Sequence, residues 1–173
     1  MKDTIQAIRE RSSTRGYTDQ PLSADELNAI IEAALQAPTA ANRQEIHFTV
    51  IEGTNPVLAQ LQQDLTQGRE TPHNFYYEAP TVVILSGPEG NPWSGVDAGI
   101  AVENMALAAE ALGLGSLIIG CIRDVLTGEK RQAYAQALKL PEGCVYQVAI
   151  ALGHKAVEKT PHEYSRENNV TTL

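Results

Sequence analysis

The stretch DAGIAVENMALAAEAL, Asp97 to Leu112, decides how the rest of the chain is read. As a helix it is apolar nearly all round, with only Glu103, Asn104 and Glu110 interrupting a run of Ala, Ile, Val, Leu and Met. A helix of that composition has to be buried on every side. A chain of 173 residues has limited room for one, so part of this helix is expected to pack against another subunit. Gly113 and Gly115 follow it as stop signals.

Working outward, Ser116 to Gly120 reads as a short strand, Gly128 to Leu138 as a helix and Val145 to Leu152 as a strand. On the other side, Pro80 introduces Val82-Val83-Ile84-Leu85, short and β-branched enough for a buried strand. Asn55-Pro56 is an N-cap followed by proline at the first helical position, with Val57, Leu58, Leu61 and Leu65 along the helix. A polar link, Thr66 to Tyr77, connects that helix to the buried strand, and His47 to Ile51 forms a strand before it. Ser23 and Glu26 make a capping box for a helix carrying Leu27, Ile30, Ile31, Ala34 and Leu35, which Pro38 stops. Asp3 caps a first helix running to Arg11. After Gly153 no apolar pattern continues, and the last twenty residues read as an arm that needs something to hold it. The order of elements is mixed helix and strand in one domain, without repeats.

Composition narrows the function. Thirteen Lys and Arg against 21 Asp and Glu leave a net charge of −8, which argues against a protein that neutralises nucleic-acid phosphates or anionic membranes. With aromatics at 5%, the core is expected to be aliphatic. No long apolar run suggests a membrane span, and the charged N-terminus is unlike a secretory signal. Cys121 and Cys144 read as two buried thiols in a reducing cytoplasm, and the scattered histidines suggest no metal site. Gly113-x-Gly115 follows a helix instead of a strand, so it is no dinucleotide fingerprint, and no phosphate loop is present.

The cations gather at the two chain ends, and between Gln44 and Ile122 only Arg69 interrupts their absence. Arg11, Ser12, Ser13 and Arg15 place two guanidiniums and two hydroxyls within five residues, a set suited to a phosphate, although cations late in a helix also favour its dipole. Ala37 to Gln44, APTAANRQ, is a loop of small residues and amides that either lets backbone approach a flat ligand or is an ordinary helix-to-strand turn. Lys159 and His162 are either ligand groups or solvated tail charges.

Together RSSTR (11–15), APTAANRQ (37–44), EAPTVVILSG (78–87), DAGIAVENMALAAEALGLGS (97–116) and GHKAVEKTPHEY (153–164) resemble, in order, the signatures of the nitroreductase family in its short form. The resemblance implies an α+β fold with a mixed, mostly antiparallel sheet flanked by helices. It implies a homodimer whose subunits exchange a C-terminal arm, about residues 154–173, with one FMN in each of two interface clefts. Carried over, Arg11, Ser12 and Ser13 would hold the phosphate and ribityl end, and Arg15 would point to the pyrimidine edge of the flavin, where positive charge raises the potential. Pro38, Thr39, Ala40, Asn42 and Gln44 would come from the partner chain. Lys159 and His162 would complete the phosphate site, and the backbone of Ile119 and Gly120 would lie against the reactive N5.

The chain departs from the family pattern at three places. The loop reads Asn42-Arg43-Gln44-Glu45-Ile46 where the family continues NxQPW, the basic residue that larger relatives carry before the APTVV strand is replaced by His73-Asn74-Phe75, and the family's common Gln in the long helix is Glu103. The insertion that caps the cleft of larger members is also missing. The implied activity is ping-pong: NADH or NADPH gives hydride to the flavin, and a nitroaromatic, quinone or similar acceptor then takes the electrons. No catalytic side chain is assigned, since the cofactor supplies the chemistry. Alternatives on the same scaffold are free-flavin reduction, ring or halogen chemistry, and a non-catalytic flavin-binding module.

Overall fold

In the computed structural model, which describes residues 2–173, local capping chemistry sets most helix starts. Asp3 accepts the Gln6 amide to open α1 (Thr4–Glu10), Ser23 and Glu26 close both halves of the box at α2 (Ala24–Leu35), and Asn55 accepts the Val57 amide at α3 (Pro56–Thr66). Each satisfies amides that lack an intrahelical partner. The long helix α4 (Ser94–Ala111) begins three residues before the expected Asp97. Asn91 accounts for the difference: its side chain accepts the Trp93 amide and its carbonyl accepts that of Ser94. Gly113, at φ +81°, ends the helix, whereas Gly115 lies in a strand and has a different task, described below.

A short α6 (Arg131–Ala137) falls within the helix expected over Gly128–Leu138, and an unexpected α5 (Arg123–Thr127) precedes it. Gly128 is extended, and a Cβ there would sit 2.6 Å from the Asp124 carbonyl oxygen, so the chain turns sharply and starts again. Ser165 caps a single turn, α7 (Arg166–Asn169), inside the expected arm.

Strands β1 (His47–Glu52), β2 (Thr81–Pro88), β3 (Gly115–Ile119) and β4 (Cys144–Gly153) form one sheet in the order β1-β2-β4-β3, with every neighbouring pair antiparallel. An isolated parallel bridge, Ser13 to Ser116, extends the sheet beside β3. The architecture is therefore α+β, mixed and mostly antiparallel. Alternation in the central strands divides the core. Val82, Ile84, Ala149 and Ala151 face the side of α3, α5 and α6, while Val83, Leu85, Ile150 and Leu152 face α2 and α4. The α4 side is aliphatic as expected, but the other side also holds Phe75, Tyr76, Tyr134 and Tyr146. Phe75 and Tyr76 belong to the stretch read as a polar link, and they pin it to the core.

Helix α4 buries Ala98, Ala101, Val102, Met105, Ala106 and Ala109 within the chain. Its other side runs through Val96, Gly99, Ile100, Glu103 and Leu107 and stays open, with Val96 50% and Ile100 37% exposed. One chain thus covers only part of a helix whose composition calls for cover all round. Cys121 is exposed and Cys144 half-buried, so the thiols are not the buried pair expected: Cys121 directly follows the open Gly120 where the chain leaves β3, and Cys144 opens β4 at its rim.

Candidate functional site

The Arg11–Arg15 segment leaves α1 and is laid against the first residues of β3. The buried Thr14 donates its amide to the Ser116 carbonyl at 2.8 Å, and this approach needs the glycine at 115: a Cβ there would meet Thr14 Oγ1 at 2.7 Å and Lys155 Cγ at 3.0 Å. The start of the C-terminal tail is stitched to the same segment, with the Thr18 amide donating to the His154 carbonyl and the Ala156 amide to that of Gly16, both at 3.0 Å. Ser12 Oγ donates to the Lys159 carbonyl at 3.3 Å. Arg11, Ser12 and Ser13 are half-buried, and Lys159 is exposed beside them. Arg11 Nε lies 3.4 Å from Glu103 Oε1 on the open side of α4. The two chain ends, separate in sequence, thus converge. His162 lies exposed farther along the tail, and among the described residues no hydrogen bond or ion pair joins it to this group.

A carboxylate fastens the convergence. Glu110, 3% exposed near the end of α4, accepts from the ammonium groups of both Lys2 and Lys155, the latter at 3.0 Å to Oε2. Burial pushes the Glu110 carboxyl up, but the two ammonium partners outweigh it and hold the group below the ordinary carboxylate range.

At the far end of β3 the Ile119 side chain is buried and its carbonyl accepts the Tyr146 hydroxyl at 2.6 Å, so only backbone is presented there. Gly120 is exposed, and a Cβ at that position would meet nothing within 4 Å. Ser116 and Ile119 stand about 10 Å apart along the strand. The Arg11–Ser13 segment, bridged to Ser116, and the open Gly120 therefore lie at opposite ends of β3.

Arg15 is exposed, with its guanidinium carbon 5.9 Å from the centre of the Tyr77 ring. The 37–44 loop sits elsewhere, against the start of α4. Asp97, 5% exposed, accepts the Ala40 amide at 3.0 Å, Thr39 Oγ1 accepts the Gln44 amide at 3.0 Å, and Gln44 donates to Asn42 Oδ1 at 3.0 Å. Ala41, Asn42 and Gln44 all have φ of +53°, a region unfavourable for side-chain-bearing residues. Pro38, Thr39 and Ala40 border a cavity of about 450 Å³ with Trp93, Val96 and Ile100. Among the described residues no hydrogen bond or ion pair connects this loop to Arg11–Arg15 of the same chain.

The sequence profile of the nitroreductase family matches residues 8–154. The chain belongs to the nitroreductase family. Among curated relatives, the NAD(P)H-dependent FMN reductase of Bacillus subtilis strain 168 is 28% identical over 90% of this chain and 67% of its own length. Among solved structures, a nitroreductase with bound FMN from Bacteroides fragilis superposes with a TM-score of 0.88 at 29% identity, covering all of both chains. An FMN-dependent nitroreductase from Clostridium difficile gives 0.88 at 27% identity over 99% of each chain.

In this nitroreductase three structural residues escaped the sequence reading. Asp97 and Glu110 were visible only as charges within an apolar helix; their partners lie 57, 45 and 108 residues away. Tyr77 stood in what read as a link, and nothing local announced that its ring meets Arg15.

Proposed function

We propose that this nitroreductase is an FMN-dependent oxidoreductase that takes hydride from NADH or NADPH and passes electrons to a nitroaromatic, quinone or similar acceptor. The chemistry of the donor set supports the reading: Arg11, Ser12 and Ser13 lie half-buried where Gly115 admits Thr14 to β3, the Ser12 hydroxyl reaches the Lys159 backbone, and paired N–H groups with neutral donors suit a phosphate monoester. The residues present fit the group. Arg11, Ser12, Ser13 and Lys159 would hold the phosphate and ribityl end, and His162 would complete the phosphate site. Gly120 and the Ile119 backbone give the ring a surface with no side chain in the way. Arg15 would lie toward the pyrimidine edge. When bound, FMN supplies the hydride-accepting ring, while the protein contributes position and electrostatics.

The functional unit is a homodimer. The apolar side of α4 left open in one chain is the surface it buries, and the partner's loop supplies the Pro38, Thr39, Ala40, Asn42 and Gln44 positions to the cleft. Residues 1–173 form one domain, of which about 154–173 are the arm exchanged between subunits. Among the described residues no helix is long and apolar enough to cross a membrane. We place the protein in the cytoplasm.

The test is an anaerobic spectrum of protein reconstituted with FMN. Adding NADH or NADPH should bleach the flavin bands, and an added quinone or nitroaromatic should restore them. Protein that stays colourless after reconstitution, or a bound flavin that no reduced nicotinamide bleaches, contradicts the reading. Light scattering during gel filtration should return twice the chain mass.

A further inference from the structure

Tyr77 and Glu78 are consecutive side-chain-bearing residues with φ of +52° and +58°. Backbone of this kind persists only where its surroundings over-determine it, and it concentrates at functional sites. Here Asn74 Oδ1 accepts the amides of both Tyr76 (3.2 Å) and Glu78 (2.9 Å), and the Glu78 carboxylate returns the bond by accepting the Asn74 amide at 3.1 Å. Phe75 donates its amide to Gln62 Oε1 at 2.8 Å, and the buried Tyr76 donates its hydroxyl to the Gly53 carbonyl at 2.9 Å. None of these bonds involves the Tyr77 side chain. What the turn delivers is that ring, with the His73 ring 5.5 Å away centre to centre and the Arg15 guanidinium carbon 5.9 Å from its centre.

Arg15 has no carboxylate partner and donates no hydrogen bond among the described residues, so the Tyr77 face is what narrows the positions open to its charge. We propose that Tyr77 is a positioning residue, whose ring, presented by the strained turn, holds the Arg15 guanidinium toward the pyrimidine edge of the flavin and thereby helps set the flavin's reduction potential. The proposal rests on reading Arg11–Arg15 as the flavin site. Its physical basis is distance: negative charge gathers at that edge on reduction, and a cation stabilises it in proportion to how closely it is held.

The experiment measures FMN affinity by fluorescence and reduction potential by dye equilibration in the reconstituted parent, Tyr77→Phe, Tyr77→Leu, Arg15→Gln and the Tyr77→Leu/Arg15→Gln double variant. Arg15→Gln should lower the reduced-to-oxidised ratio at fixed potential roughly tenfold, about 30 mV for a two-electron couple. Tyr77→Leu should lower it about threefold, the size of an exposed cation–π contact. Tyr77→Phe, which keeps the ring face, should match the parent, and the double variant should fall no lower than Arg15→Gln alone. Should the leucine variant not fold, Tyr77→Gln takes its place. A Tyr77→Leu protein that binds FMN at the parental potential overturns the proposal, as does an equal drop in the Arg15→Gln background. A parent that does not bind FMN overturns the site reading, and the proposal with it.

Discussion

Asp97 Oδ1 receives the Ala40 amide at 3.0 Å, so a buried carboxylate in the first turn of α4 fixes a loop 57 residues earlier in the chain. The loop has few other anchors and holds three side-chain-bearing residues at positive φ. Asp97→Leu leaves the amide without its acceptor and is expected to cost about 1–3 kcal/mol of stability by urea unfolding. Asp97→Asn keeps an acceptor oxygen and should recover most of that loss. Equal losses in both variants would mean that the charge, and not the hydrogen bond, is what matters.

Arg11→Ala removes a charge-assisted partner of the proposed phosphate, and FMN should dissociate roughly ten- to a hundredfold more readily. Fluorescence titration reads this directly. Parental affinity in the variant would show that the phosphate sits elsewhere.

At Gly120 a methyl group meets open space in the chain alone. Gly120→Ala is therefore expected to leave unfolding stability within about 0.5 kcal/mol, as for a surface change away from special features. The same methyl would press on a flavin ring lying against that backbone, so FMN affinity should fall while stability does not. A variant that binds FMN as the parent does removes Gly120 from the site.

Gly115→Ala has the opposite character. Its Cβ would meet Thr14 Oγ1 at 2.7 Å and Cγ2 at 2.8 Å, which forces the 11–15 segment off β3. Overpacking of this kind typically costs about 1–3 kcal/mol, and both stability and FMN affinity should drop together.

Acid should loosen the Glu110 fastening. The folded carboxyl lies below its ordinary value of 4.5, so its contribution is fully present above that pH and is lost as pH falls through the folded value. Glu110→Gln should be less stable than the parent at neutral pH by about 1–3 kcal/mol, with the gap closing below pH 4.5. Stability curves of parent and variant that stay parallel down to strongly acid pH would exclude Glu110 as the titrating group.

How much of this was legible in the sequence depends on how far each signal reaches. Ser23 with Glu26, and Asn55 with Pro56, are local pairs, and the structure realises them residue by residue. The buried strand at Val82–Leu85 announced itself by being apolar on both faces, and both core clusters draw on it. The helix composition at 97–112 foretold a surface needing cover, which one chain leaves open along Val96 and Ile100. Gly128 misled, because a glycine before a helical pattern gave no sign that α5 had already ended against it. The link at 66–77 hid Phe75, Tyr76 and Tyr77, since three aromatics in a row carry neither a helical nor a strand period. Asp97 read only as the start of an apolar helix and Glu110 as an interruption of it; their meaning came from partners that only the fold brings near.

Lys2 and Lys155 meet on one carboxylate, which makes nearly the whole chain a noncovalent ring closed by a proton-sensitive clasp. Closing so long a loop costs chain entropy only logarithmically in its length, so a modest clasp suffices. Opening it removes a tie that the first helix and the tail share, while backbone bonds such as Thr18–His154 still hold the tail's start, and both termini of the Glu110→Gln protein should become more open to proteases.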